Sequence, residues 1–179
     1  MQTLQERVRE LILDTPNFPV DGIIFKDILP IFRHAELVKE LVSEMAKELQ
    51  PHNPTALVGM ESRGFLLGMP LALELNIPFV CIRKKGKLPA ETFSRAYGLE
   101  YGIDEIEIHR DALRPGAKVT LIDDVLATGG TLEAAVGLVS DAGGEVSSII
   151  VLLEISALGG RQRIEKVASG IPIHALVTI

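Results

Sequence analysis

Tryptophan is absent from the 179 residues, cysteine occurs once, and aromatic residues make up 4% of the chain. A single cysteine excludes an intrachain disulfide. Cys81 lies in an apolar run and reads as a small buried hydrophobe in a reducing, cytoplasmic setting. With few aromatics and 47% hydrophobic residues, the core must be built from Leu, Ile, Val and Ala, the pattern of an α/β protein. No apolar stretch reaches membrane-spanning length, and the N-terminus is a charged amphipathic segment rather than a signal peptide, so no membrane partner is expected. Positive charge is also in short supply. Eighteen Lys and Arg stand against 24 Asp and Glu, and the net charge of −6 argues against nucleic acid as a partner. His34, His52, His109 and His174 are scattered without metal-ligand spacing. The length suits one well-buried domain.

What is present alternates. Leu4, Val8, Leu11 and Ile12 fall at helical spacing, and Pro16 and Pro19 then keep the chain extended. Asp21 to Ile28 reads, taken alone, as a short edge strand. His34 to Gln50 carries an apolar face and predicts a helix, and Ala56 to Met60 predicts a buried strand. A helix over Phe65 to Leu75 follows, then a strand from Pro78 to Ile82. Arg83 to Pro89 is the one dense basic cluster. Glu91 to Glu100 shows no periodicity and reads as a mobile excursion, and the alternation up to His109 predicts a strand with one wet face. Later come a strand ending in Asp123-Asp124, a helix to about Ala142, a strand over Val146 to Leu153, a short helix from Arg161 and a closing strand from His174. Strands alternating with helices from Ala56 to Leu153 imply an α/β fold with a parallel twisted sheet flanked by helices. The chain ends break this alternation and are expected to cap the sheet's carboxyl edge.

The stretch Val119 to Thr131 organises the rest. An apolar strand ends in two adjacent carboxylates, and Ala127-Thr128-Gly129-Gly130-Thr131 then leads into a helix. Glycines let backbone N–H groups converge on an anion, the threonines add hydroxyl donors, and the helix N-terminus adds partial positive charge. Carboxylates repel phosphate, so Asp123 and Asp124 should face hydroxyl donors or a cation. A phosphorylated ribose satisfies both halves, with its phosphate on the loop and its vicinal hydroxyls on the acids. The plain alternative is a strand-to-helix turn with an exposed acidic pair. No Lys follows the glycines, so this is not a Walker loop.

This stretch resembles the phosphoribosyl-diphosphate signature of type I phosphoribosyltransferases. Across nearly the whole length the chain is similar to their adenine-using branch, through Gly22 to Ile28, Glu61 to Phe65, Ile82 to Pro89, Leu99 to Gly102 and Asp124 to Thr131. The resemblance implies a single domain with a hood at about 1–32 plus 155–179, a core at 33–154 and a lid at 83–102. It implies transfer of a 5-phosphoribosyl group from phosphoribosyl diphosphate to adenine, giving AMP and diphosphate in purine salvage. It also assigns roles. Asp123, Asp124, Ala127, Thr128, Gly129, Gly130 and Thr131 would bind the ribose phosphate. Glu61, Ser62, Arg63, Arg83 and Lys87 would bind the diphosphate, with a cis Glu61–Ser62 peptide. Ile24, Phe25, Lys26 and Tyr101 would bind adenine, with Phe25 stacking on the ring. Glu100, Arg83 and Lys87 would be catalytic, Glu100 as the acid/base at purine N7. Mg²⁺ would be held mainly by substrate, and a homodimer is implied. Two alternatives share the motif: a transferase for another base, and a regulator that keeps the ribose-phosphate site without turnover. A regulator of that kind usually adds a nucleic-acid-binding face, which this acidic chain lacks.

Overall fold

The computed structural model describes residues 2–99 and 102–179. Helix α1 (Leu4–Glu10) begins at Thr3, whose hydroxyl accepts the Glu6 N–H while the Glu6 carboxylate accepts the Thr3 N–H, a closed capping box. Strands β1 (Leu13–Pro16) and β2 (Ile24–Asp27) pair antiparallel as a separate two-stranded sheet, so the short strand read from the sequence has a partner the sequence had not marked. Next come α2 (Ala35–Leu49), β3 (Ala56–Met60), α3 (Arg63–Leu75), β4 (Phe79–Lys84), β5 (Thr92–Leu99), β6 (Gly102–His109), β7 (Lys118–Leu126), α4 (Gly130–Asp141), β8 (Glu145–Glu154), α5 (Gly160–Val167) and β9 (Ile173–Thr178).

The main sheet has seven strands in the order β5-β6-β4-β3-β7-β8-β9. From β4 to β9 every neighbouring pair is parallel, while β6 runs antiparallel to both β4 and β5. Side-chain alternation divides the core in two. Val58, Leu121, Ile149 and Val151 face one layer with Leu132, Leu138 and Ile164 of α4 and α5. Leu57, Ile122, Ile150 and Leu152 face the other with Leu41, Met45, Leu67 and Leu71 of α2 and α3. Burial on both faces explains why these strands read as continuous apolar runs. A fully buried polar pair, Thr120 and Ser148, satisfies itself with an Oγ–Oγ hydrogen bond of 2.6 Å.

Two sequence expectations are corrected. The excursion at Glu91 to Glu100 is mostly strand: β5 pairs with β6 over its full length and lies along α4, where Arg95 makes a two-pronged ion pair with Asp141. Tertiary pairing and Tyr97 burial supply what local periodicity did not show. At the other end, β9 does not stand over the sheet edge. It extends the main sheet beside β8, and His174 on it shares a ring-nitrogen contact of 2.8 Å with His52. No helix among the described residues is long and apolar enough to cross a membrane.

Candidate active site

Chain order reverses between β3 and β7. After β3 the chain steps to β4 on one side, and it later returns to β7 on the other. The carboxyl ends of β3 and β7 therefore splay apart, and a crevice opens there. A cavity of about 680 Å³ occupies that place. Its floor is the end of β3 with Glu61, Ser62 and Arg63, together with Asp123 to Thr131. Its apolar walls come from Val20, Ile23 and Phe25 in and before β2 and from Ile155 and Leu158 after β8.

Helix α4 opens onto this cavity without a side-chain cap. Its N-cap is Gly129 in the left-handed conformation (φ 80°, ψ 0°), a geometry that glycine adopts without a Cβ penalty. The first-turn N–H groups are thus left for a ligand, and the helix dipole favours an anion there. The loop is pressed from behind by the start of α5. A Cβ on Gly160 would stand 2.6 Å from Leu126 Cδ1 and 3.0 Å from Gly129 N, and would overlap the Ala127 carbonyl oxygen. Gly160 is therefore a contact surface for the loop as well as a helix start.

The acidic pair sits just before this loop. Asp124 is 5% exposed, and the Asp124 N–H donates to Asp123 Oδ1 at 2.9 Å. Arg63 Nε lies 2.7 Å from Asp124 Oδ2, yet that oxygen accepts no well-aligned hydrogen bond, so the contact is one of charge rather than a directed bond. Burial, then the neighbouring Asp124 charge, pushes the Asp123 carboxyl well above the usual range, with Arg63 opposing. Asp123 keeps a partly open face on the cavity even so. The Arg63 guanidinium also stands 4.7 Å over the Phe25 ring, and Phe18 meets that ring edge-on at 5.1 Å. Lys26 reaches back to Asp14 at 2.7 Å, and Ile24 remains exposed at the cavity edge.

The Glu61–Ser62 peptide is cis, as is Phe18–Pro19. Glu61 accepts Arg83 Nη2 at 2.9 Å and the Lys84 N–H at 2.9 Å. Burial raises its pKa, but these two donors outweigh that and hold it below the usual carboxylate range. The structure thus gathers the expected Ile24, Phe25, Lys26, Glu61, Ser62, Arg63, Asp123, Asp124 and Ala127 to Thr131 around one cavity. Arg83 and Lys87 are not on its wall. Arg83 is turned to Glu61 and to the Lys87 carbonyl, and Lys84 lines the cavity instead. Glu100 and Tyr101 lie outside the described residues.

Two polar lining residues escaped the sequence reading. Lys84 did so because the resemblance assigns Arg83 and Lys87, and the strand expected from Pro78 stops at Ile82. Carried to Lys84, the alternation puts Lys84 on the Ile82 side and Arg83 on the other. Lys84 Nζ pairs with Asp104 at 3.0 Å, which raises the lysine pKa, and the Asp104 carboxyl is held down in return against the effect of its burial. Tyr97, on the supposed excursion, donates to the same Asp104 at 3.4 Å, and burial pushes its phenol up. Among the described residues no cluster of three or more His, Cys, Asp or Glu could hold a metal ion.

Known proteins resemble this chain in sequence and in fold. The profile described as phosphoribosyl transferase domain matches residues 26–173. A protein of Butyrivibrio fibrisolvens named adenine phosphoribosyltransferase is 47% identical over 160 residues, 89% of each chain. The crystal structure of adenine phosphoribosyltransferase from Thermoanaerobacter pseudethanolicus superposes with a TM-score of 0.93 at 44% identity, covering 99% of this chain and 100% of that one. The enzyme from Trypanosoma brucei, solved in complex with AMP, pyrophosphate and ribose-5-phosphate, gives a TM-score of 0.90 at 30% identity, covering 99% of this chain and 80% of that one. A cavity at the strand reversal, an uncapped glycine-started helix facing it and an acidic pair beside that helix agree with these likenesses: the chain belongs to the adenine phosphoribosyltransferases of the phosphoribosyl transferase family.

Proposed function

We propose that the protein salvages purine by moving the 5-phosphoribosyl group of phosphoribosyl diphosphate onto adenine. The N9–C1′ bond forms as the C1′–oxygen bond to diphosphate breaks, and AMP and diphosphate leave. The observation that carries this reading is one cavity with two chemically distinct kinds of lining: an anion cradle with flanking carboxylates, and an apolar wall containing Phe25. Purified protein mixed with Mg²⁺, phosphoribosyl diphosphate and each free purine in turn should yield nucleotide with adenine. Turnover of another base in preference to adenine would overturn the assignment.

In this reading Ala127 to Thr131 hold the 5′-phosphate on the α4 N-terminus. Asp123 and Asp124 accept from the ribose hydroxyls, and their charge favours the cationic ribose that develops as the leaving group departs. Ser62 and Arg63 stabilise charge on the diphosphate, and Lys84 serves as the cavity-side cation of the basic turn. Arg83 and Lys87 keep their proposed roles at the diphosphate, Arg83 through its hydrogen bond to Glu61 beside Ser62 and Lys87 through the carbonyl that accepts Arg83 Nη1. Phe25 stacks on the purine, while the Ile24 and Lys26 backbone groups and Tyr101 read its edge. Glu100 exchanges the proton at N7. The donor set fits Mg²⁺ carried by the substrate rather than caged by protein: Asp123 and Asp124 are the cavity's adjacent carboxylates, and a magnesium ion keeps most of its shell in water and substrate oxygens. When bound, the ion neutralises diphosphate charge.

The finer setting is a cytoplasmic homodimer. Leu66, Met69 and Leu73 are exposed at successive turns on one face of α3, and Leu73 is 70% exposed. A second copy of the chain on this stripe would remove it from water.

A further inference from the structure

We propose that Glu107 is a positioning residue for the diphosphate end of the site, an inference that rests on the phosphoribosyl-transfer reading above. Glu107 lies on β6, opposite Arg83 of β4 and Ser94 of β5. It is 5% exposed, and among the described residues no cation pairs with it. A buried carboxylate without a counter-charge is unfavourable unless hydrogen-bond donors surround it. Here the donors come from the basic segment. Glu107 Oε1 accepts the Lys87 N–H at 3.1 Å and the Leu88 N–H at 3.0 Å, and Oε2 accepts the Thr92 hydroxyl at 3.3 Å.

Two consecutive amides on one oxygen fix the turn from Lys84 to Lys87. That turn is closed by the Lys87 N–H donating to the Lys84 carbonyl at 3.2 Å, with Gly86 at φ 79°. The hydrogen bonds then continue toward the cavity. The Lys87 carbonyl accepts Arg83 Nη1 at 3.1 Å, and Arg83 Nη2 donates to Glu61, which also accepts the Lys84 N–H. Glu61 is bonded directly to Ser62, and Lys84 lines the cavity. Glu107 thus stands at the far end of a chain of hydrogen bonds that sets where the cations meet the diphosphate. The 5′-phosphate loop and the Phe25 wall take no part in it.

That division gives the test. Steady-state turnover of wild-type protein with adenine and phosphoribosyl diphosphate comes first, because its absence would remove the underlying reading and this inference with it. Glu107→Asp keeps the charge but withdraws the carboxyl by one methylene from both amides. Its KM for phosphoribosyl diphosphate should rise about tenfold, the effect of losing one charge-assisted hydrogen bond, while KM for adenine stays within twofold. Glu107→Gln keeps one carbonyl oxygen for the two amides and turns its NH₂ to the Thr92 hydroxyl, which can accept, so it should stay within about threefold of wild type. AMP, which lacks the diphosphate, should bind both variants as it binds wild type when titrated directly. A general structural role would instead shift both KM values and AMP affinity together, and that result overturns the proposal. So does a Gln variant more impaired than the Asp variant, or an unchanged KM for phosphoribosyl diphosphate in Glu107→Asp.

Discussion

Replacing Gly160 by alanine sets two effects of opposite sign against each other. Gly160 is the first residue of α5 and has no positive φ, so the backbone accepts alanine, and glycine-to-alanine in a helix contributes up to about 1 kcal/mol of stability. Helix propensity alone therefore predicts a more stable protein with normal activity. The surroundings predict otherwise. The new Cβ would stand 2.6 Å from Leu126 Cδ1 and 3.0 Å from Gly129 N, whereas ordinary contact begins at 3.4 Å, and it would overlap the Ala127 carbonyl oxygen more deeply still. Leu126 can turn its methyl, but the Ala127 and Gly129 atoms are backbone and must move together. A displacement on the order of 1 Å is required, and a misplacement of that size in a substrate-positioning element lowers rate by about a hundredfold. The expected result is kcat/KM for phosphoribosyl diphosphate reduced about a hundredfold, with KM for adenine little changed, measured by steady-state AMP formation. A Gly160→Ala protein with kcat/KM within twofold of wild type and a raised melting temperature would refute the contact argument, leaving helix propensity as the whole effect.

Leu73→Lys places a charge on the most exposed residue of the α3 stripe and should convert a dimer to monomer in light-scattering measurements; an unchanged mass would remove α3 from the interface. Asp123→Asn should raise the melting temperature at neutral pH. The native carboxyl has a raised pKa, so the stability it contributes is present below its unfolded value and is lost as pH rises through the folded one. The variant's advantage should therefore shrink as pH falls toward the ordinary aspartate range, and a pH-independent difference would contradict that origin. Glu100→Gln should lower kcat roughly ten- to a thousandfold if the residue exchanges the N7 proton; unchanged kcat would make Glu100 structural.

Most of the fold was legible because its strongest determinant is local. The strands at Ala56 to Met60 and Val146 to Leu153 are buried on both faces, so their composition alone marks them, and the α2 stripe follows the helical period. What escaped depends on partners distant in sequence. β1 exists through pairing with β2, and all of its residues are exposed, which leaves no hydrophobic alternation to read. β5 carries its identity in its register with β6 and in its packing on α4, neither of which is written in residues 92–99 themselves. β9 was found as a strand, but its membership of the main sheet is a matter of register with β8.

The site shows the same division at finer scale. The loop from Asp123 to Thr131 is contiguous, so its parts and their order can be read directly, and all of them line the cavity. The choice of Arg83 and Lys87 rests instead on the resemblance, and it is the continuation of β4 to Lys84, in step with Ile82, that puts Lys84 on the cavity. Arg63 illustrates a further limit. Its sequence role points to the diphosphate, while its guanidinium stands over Phe25 and its Nε beside Asp124. These positions are compatible if one movement serves three ends. An anion that draws Arg63 toward the diphosphate position would uncover the Phe25 face for a purine and release Asp124 for ribose hydroxyls. The electrostatics favour such an exchange. A diphosphate presents more charge than the single Asp124 carboxylate, and the ribose hydroxyls would bring Asp124 the directed donors that Arg63 does not provide.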